Sequence, residues 1–145
     1  MTYAIALAES DADIARCYPV IRELRPHIAN AAELVARVQR QRTGGYHLAY
    51  RAENEGRGRV VACGGWRINE HLAWGLALYV DDLVTLASER SQRHGDALFD
   101  WLVDQARQRG CVNFHLDSGT HRVDAHRFYL RKRMAITSFH FGLKP

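Results

Sequence analysis

RSQRHGDALFDWL, residues 90–102, passes from a basic polar run through one glycine into an apolar pattern that puts Leu98, Trp101 and Leu102 on one helical face. A helix N-terminus carries unpaired backbone N–H groups and roughly half a positive charge, so a loop that turns those donors toward one point makes an anion site. Arg90, Arg93 and His94 would strengthen it. A glycine beside basic residues ahead of a helix is also common in plain solvated loops, so the neighbouring elements decide how the stretch is read.

Composition sets the frame for those neighbours. A chain of 145 residues, 47% hydrophobic and 25% charged, suits one globular domain, residues 1–145, with a core of its own. No window approaches the roughly 18 uninterrupted apolar residues of a membrane helix, and the start MTYAIALAESDAD lacks the basic and apolar regions of a signal peptide. A cytoplasmic protein with no membrane partner is expected. Cys17, Cys63 and Cys111 lie far apart without CxxC or Cys/His ligand spacing and read as reduced, mostly core residues. The net charge of +4 comes from arginine, since Lys132 and Lys144 are the only lysines. Basic and acidic residues interleave, and neither a recognition helix nor an aromatic-basic strand signature is visible, so nucleic acid is not expected as a partner.

Ahead of the quoted stretch, residues 73–86 read as one long strand, with Leu76, Leu78, Val80, Asp82 and Val84 alternating against Ala77, Tyr79, Asp81, Leu83 and Thr85. Strict alternation sends Asp81 and Asp82 to opposite faces. Residues 46–52 and 59–68, separated by the turn-rich ENEGRG, read as a hairpin. Further upstream, residues 3–8 form a strand. Ser10 with Asp13 then opens a helix carrying Ile14, Cys17, Tyr18 and Ile21, which Pro19 should kink or divide. Asn30 with Glu33 opens a second helix, stopped by Gly44 and Gly45.

Downstream, the helix of residues 95–109 ends at Gly110, and residues 112–116 make a short strand. Asp124 caps a helix over 125–133, and residues 136–141 close the chain as a strand. The order is strand, two helices, three strands, helix, strand, helix, strand. This is an α/β (α+β) pattern, with parallel pairing expected where a helix intervenes.

In this setting the quoted loop resembles the pyrophosphate loop of the GNAT superfamily of N-acetyltransferases, R/Q-x-x-G-x-G/A between a long strand and a helix. Two registers fit: Gln92-x-x-Gly95-x-Ala97, and Arg90-x-x-Arg93-x-Gly95. The distance from Leu83-Val84-Thr85 favours the second, which puts Arg93 where the family usually has glycine. The resemblance extends through DDLVT (81–85), CVNFHLDSGT (111–120) and DAHRFYLRKRMAI (124–136). Ala125 and Tyr129 hold the spacing of A-x-x-x-Y-x-x-x-G-F, with Arg133-Met134 in place of Gly-Phe. It implies a mixed central sheet of about six to seven strands flanked by about four helices.

It also implies acetyl-CoA as co-substrate, no metal, and a small-molecule or peptide amine as acceptor. Acetyl transfer needs a neutral amine, a polarised thioester and a proton for the departing thiolate. By resemblance Tyr129 is the general acid, and a phenol of pKa around 10 is protonated at working pH. Asp81 and Asp82, costly in an apolar strand unless they reach water or a charge, are read in two ways: one takes the amine's proton while the other caps a loop or pairs with an arginine, or the strand simply frays or bulges here. The free edge near Leu83, Val84 and Thr85 would pair with the pantetheine arm, and an amide at Leu83 or Val84 would polarise the thioester. Arg90, Ser91, Gln92, Arg93, His94, Gly95 and Asp96 would cradle the pyrophosphate. Ser118, Ala125 and Phe128 complete the expected cofactor contacts. His115, His121, His126 and His140 lack HxxxH or HExxH spacing and are not expected to bind metal. By the same resemblance the acceptor pocket is built by the two N-terminal helices and their connection, about residues 24–46, and by the C-terminal strands. The alternative reading is a non-catalytic CoA-binding or regulatory module, motivated by the two missing glycines. Exposed strand edges and the terminal FHFGLKP leave homodimerisation open.

Overall fold

Short polar side chains set the helix starts as the sequence suggests. Ser10 Oγ accepts the Asp13 N–H at 3.1 Å and begins α1 (Asp11–Leu24). Asn30 Oδ1 accepts the Glu33 N–H at 2.9 Å and begins α2 (Ala31–Arg42), while the Glu33 carboxylate reaches back to the Ala29 N–H. Contrary to expectation, α1 runs undivided through Pro19. Proline removes one backbone donor there, and the buried Ile14, Cys17, Val20 and Ile21 around it keep the helix packed.

The structure, a computed structural model, describes all residues, Met1–Pro145. It divides into two compact units, Met1–His115 and Leu116–Pro145. After β1 (Tyr3–Leu7) and the two helices come β2 (His47–Glu53), β3 (Val60–His71) and β4 (Gly75–Thr85), joined as antiparallel neighbours. β1 and β2 pair so in spite of the helices between them, against the parallel pairing expected there, because two helices, out and back, return the chain to the end of β1 it left. A 3-10 turn (Ala87–Glu89) leads to α3 (His94–Gln108), then β5 (Asn113–Leu116) and α4 (Val123–Arg131). The sheet has five strands in the order β1-β2-β3-β4-β5. No helix is long and apolar enough to cross a membrane.

In the first unit, α1 and α2 cover one sheet face, where Ile14, Cys17, Val20, Leu34 and Val38 meet Leu48, Tyr50 and Cys63. Alternation along β3 turns the next residue to the other face. A side chain at Gly64 would come within 3.3 Å of Leu102, so glycine there lets α3 lie close to the strand.

The β3–β4 ladder is not continuous. Gly65 pairs with Asp82 and Trp66 pairs with Val80, which leaves Asp81 as an extra residue on β4. Such a bulge breaks the alternation that would send Asp81 and Asp82 to opposite faces, and both line one cleft. The expectation of opposite faces is thereby corrected.

In the second unit α4 runs Val123–Arg131, starting and ending two residues earlier than the expected 125–133. Arg122 is the N-cap, without a side-chain cap bond, and Asp124 lies inside the first turn, paired with Arg127 at 3.2 Å. The closing strand over 136–141 is not formed, so the sheet has five strands rather than six or seven. Ile136, Phe139 and Phe141 are 79%, 84% and 91% exposed. Alternating apolar residues make a strand only where a partner takes up their backbone bonds, and a local pattern does not supply one.

Candidate active site

The bulge opens into a cleft of about 340 Å³, within the size range of small-molecule sites. Its helical side carries Ile28, Leu34 and Val38, and its strand side Tyr46, Asp81 and Asp82. The two aspartates have different surroundings. Both oxygens of Asp82 are taken: Arg25 Nε donates to Oδ1 at 2.8 Å and the Tyr46 hydroxyl donates to Oδ2 at 2.8 Å. Arg25 also ties its Nη2 to the Asp81 carbonyl at 2.9 Å, bracing the bulge. Burial, reinforced by the Asp82 charge, pushes the Tyr46 phenol well above its usual pKa, so it remains a donor. The phenol packs against Gly65, where a Cβ would sit 1.9 Å from its oxygen.

Asp81 is held on one side only. Arg67 Nε donates to Oδ2 at 2.9 Å, and Arg67 is in turn fixed by Gln41 at 2.6 Å. Oδ1 is buried and has no hydrogen-bond partner. A buried acceptor without a donor is expensive, and here it borders a cleft that can admit one. Burial raises the Asp81 pKa against the pull of Arg67, with the Asp82 charge adding to the rise. A carboxylate of raised basicity with a free lone pair is suited to receive a proton.

The run from Leu83 to the start of α3 carries the second group of expected residues. Leu83 and Val84 pair with Gly64 and Cys63 on the β3 side. On the other side β5 has only four residues and enters where the Val112 N–H meets the Leu76 carbonyl at 2.8 Å. Four residues starting there cannot reach Leu83, so the outer edge of Leu83, Val84 and Thr85 has no strand beside it.

Ser91 and Arg93 both adopt left-handed backbone, each with φ 66°. Arg93 is the N-cap of α3 and takes the conformation glycine prefers. Its side chain is 85% exposed and lies 3.6 Å from Asp96. The first helical bond runs from the Ala97 N–H to the Arg93 carbonyl, so the amides of His94, Gly95 and Asp96 precede any intrahelical acceptor. Arg90, Ser91 and Gln92 are exposed, with Gln92 donating to Glu89 at 3.1 Å. His94 departs from the expected phosphate contact, being only 2% exposed. Its Nδ1 accepts from Arg51 Nε at 3.2 Å, its ring packs on Tyr3, and Nε2 is buried without a partner. Burial, then the Arg51 charge, lowers its pKa and keeps it neutral. The helix-start amides, the exposed Arg90 and the unpaired strand edge fit a long ligand with phosphates at one end, as CoA has.

In the second unit Tyr129 is buried, 9% exposed, and burial raises its phenol pKa although the Arg122 charge opposes the shift. Phe128 packs its ring 5.6 Å from Tyr129, and Ala125 lies one turn earlier on α4. Ser118 Oγ is buried without a partner, a donor that a ligand can satisfy. Arg133, at the second position where glycine was expected, also adopts left-handed backbone, φ 69°. His126 bonds the Gly119 carbonyl at 2.7 Å, and His140 lies 3.6 Å from Asp117.

Sequence reasoning found Asp81 and Asp82 but missed Tyr46, Arg25 and Arg67, which distinguish them. Arg25 and Tyr46 fall within the expected acceptor region, residues 24–46, yet no local pattern links either to an aspartate far along the chain.

A family model described as the acetyltransferase (GNAT) family matches residues 12–134. An uncharacterized N-acetyltransferase of Bacillus subtilis (strain 168), YhdJ, is 37% identical over 122 residues, 81% of each chain. An aminoalkylphosphonate N-acetyltransferase of Salmonella typhimurium is 39% identical over 62 residues, 43% of this chain and 40% of that protein. Among solved structures, an acetyltransferase of Trypanosoma brucei superposes with a TM-score of 0.81 at 19% identity, covering 99% of this chain and 100% of its own.

Proposed function

The chain belongs to the acetyltransferase (GNAT) family, and from that premise we propose that it moves acetyl from acetyl-CoA to a primary amine of a small molecule, by direct attack in a ternary complex. The single observation that carries the reading is the unpartnered Asp81 Oδ1 at the bulge, bordering a cleft of small-molecule size. A relative named for acetylating aminoalkylphosphonates supports a small amine as acceptor. The family match over residues 12–134 supports reading residues 1–145 as one catalytic domain.

Acetyl-CoA supplies the acyl group as an activated thioester. The helix-start amides of α3 and Arg90 bind its phosphates, and the edge at Leu83, Val84 and Thr85 takes the extended arm. Ser118 offers a further hydrogen bond. Asp81 Oδ1 binds the acceptor ammonium and takes one proton, leaving a neutral amine. The amine's N–C bond forms as the C–S bond breaks, and Tyr129 gives its phenolic proton to the departing sulfur. The amine's second proton restores the phenol, so one ammonium and one thioester yield an amide, a thiol and one released proton. Asp82 takes no part in the proton transfers of this scheme. Locked by Arg25 and Tyr46, it fixes the bulge that aims Asp81.

The test is a calorimetric titration with acetyl-CoA, followed by an amine screen that measures thiol release. Saturable 1:1 binding and amine-dependent thiol support the reading. A folded protein that binds acetyl-CoA but releases thiol with no amine would return it to a binding module.

A further inference from the structure

The cleft holds charged groups of both signs, and two of them keep free atoms. On the β4 wall the only uncommitted carboxylate oxygen is Asp81 Oδ1, since Asp82 is fully engaged. On the helical wall stand Arg37 of α2 and His27 of the α1–α2 connection, which line the same cleft. The same helical side carries the apolar Ile28, Leu34 and Val38.

Arg37 is aimed by Glu33. Its Nε and Nη2 both donate to Glu33 Oε1, at 3.2 and 2.9 Å, while the other Glu33 oxygen is held by the Ala29 N–H. A guanidinium fixed along one edge keeps its remaining donors in a defined plane, the arrangement that recognises carboxylate and phosphate oxygens. These bonds do not use Nη1. A cleft built for polyamines would offer a second free carboxylate beside Asp81, whereas the helical side of this one carries the Arg37 guanidinium.

Resting on the acetyltransferase reading, we propose that the acceptor is a compact zwitterionic amine, its ammonium on Asp81 Oδ1 and its anionic group, phosphonate, phosphate or carboxylate, on Arg37 and His27 of the helical side. The anion and the ammonium then select one orientation, with the amine at the bulge and the acid toward the α1–α2 side. Simple alkylammonium ions without an acid group satisfy half of the site. Diamines bring a second cation against Arg37.

The experiment compares 2-aminoethylphosphonate, β-alanine, ethylamine and putrescine at saturating acetyl-CoA, reading thiol release, with acetyl-CoA binding measured by calorimetry on the same protein. One of the two zwitterions should exceed ethylamine in kcat/KM by about 30-fold, the worth of a charge-assisted contact. Which of them does so distinguishes a phosphonate-type from a carboxylate acceptor. Arg37→Met should shrink that ratio chiefly by raising KM for the zwitterion, and Arg37→Lys should restore part of it. Equal or better use of ethylamine or putrescine overturns the inference and leaves the acetyltransferase reading standing. Thiol release with none of the four, although acetyl-CoA binds, also overturns it, and failure to bind acetyl-CoA removes the reading beneath it.

Discussion

The bulge at Asp81 and the turn into α3 are irregularities about one strand-end apart, and they work through different parts of the chain. At the bulge one extra residue on β4 brings two consecutive carboxylates to one cleft, and side chains make the contacts: Tyr46 and Arg25 on Asp82, Arg67 on Asp81. At the turn Ser91 and Arg93 take left-handed backbone while their side chains stand in water, and the groups that matter are amides. A side-chain site should be sensitive to single substitutions. A main-chain site should tolerate even arginine where glycine is usual, provided the backbone path survives.

Asp81→Asn tests the first half of this comparison most severely. The amide keeps the shape but cannot take the ammonium proton, so kcat should fall by about 10²- to 10⁴-fold, the range for a lost general base. Steady-state thiol release on the folded variant measures it, and a fall of less than threefold would remove Asp81 from the chemistry. Tyr129→Phe should lower kcat by about 10²-fold while acetyl-CoA affinity in calorimetry stays close to that of the parent protein. Full turnover would make Tyr129 a packing residue of α4.

Gly65→Ala attacks the bulge without touching either carboxylate. Its Cβ would sit 1.9 Å from the Tyr46 oxygen, so the phenol must leave Asp82. A loss of about 2–3 kcal/mol is expected in urea unfolding, from overpacking and a broken buried hydrogen bond. An unchanged midpoint would show that Tyr46 can move freely and that Asp82 is not locked.

Arg67→Met tests the electrostatics. Asp81 must be ionised to act as base, and burial already raises its pKa, with Arg67 pulling the other way. Removing Arg67 raises it further, so the acid limb of the kcat/KM profile should move to higher pH. A limb that stays in place assigns that limb to another group.

Much of the fold was legible because its signals are local. Ser10 and Asn30 cap the helices they announce, and Gly110 takes the positive φ that ends α3. A bulge at the two aspartates is one of the readings that their cost in an apolar strand allows, but its register was not legible, since a register shift is a property of two strands. Nothing around Asp81 reveals that Gly65 pairs with Asp82 and Trp66 with Val80. For the same reason the aspartates were found by composition while Arg25, Arg67 and Tyr46 were not: each lies 14 to 57 residues from its partner. The expected strand at 136–141 failed in the opposite sense, having a local pattern without a partner.

The smallest effect is the most informative about the turn. Arg93→Gly relieves a left-handed strain of about 1 kcal/mol, and glycine's greater freedom in the unfolded chain offsets part of that, leaving a gain of a few tenths of a kcal/mol. The lost contact with Asp96 subtracts little, because the guanidinium is 85% exposed and 3.6 Å away. If the turn acts through its amides, acetyl-CoA affinity in calorimetry should hold or improve, since phosphate can then approach the backbone more closely. A tenfold loss would mean that the guanidinium itself grips phosphate. The turn would then join the bulge as a side-chain site, with arginine charge doing at residue 93 what close backbone approach does where glycine stands.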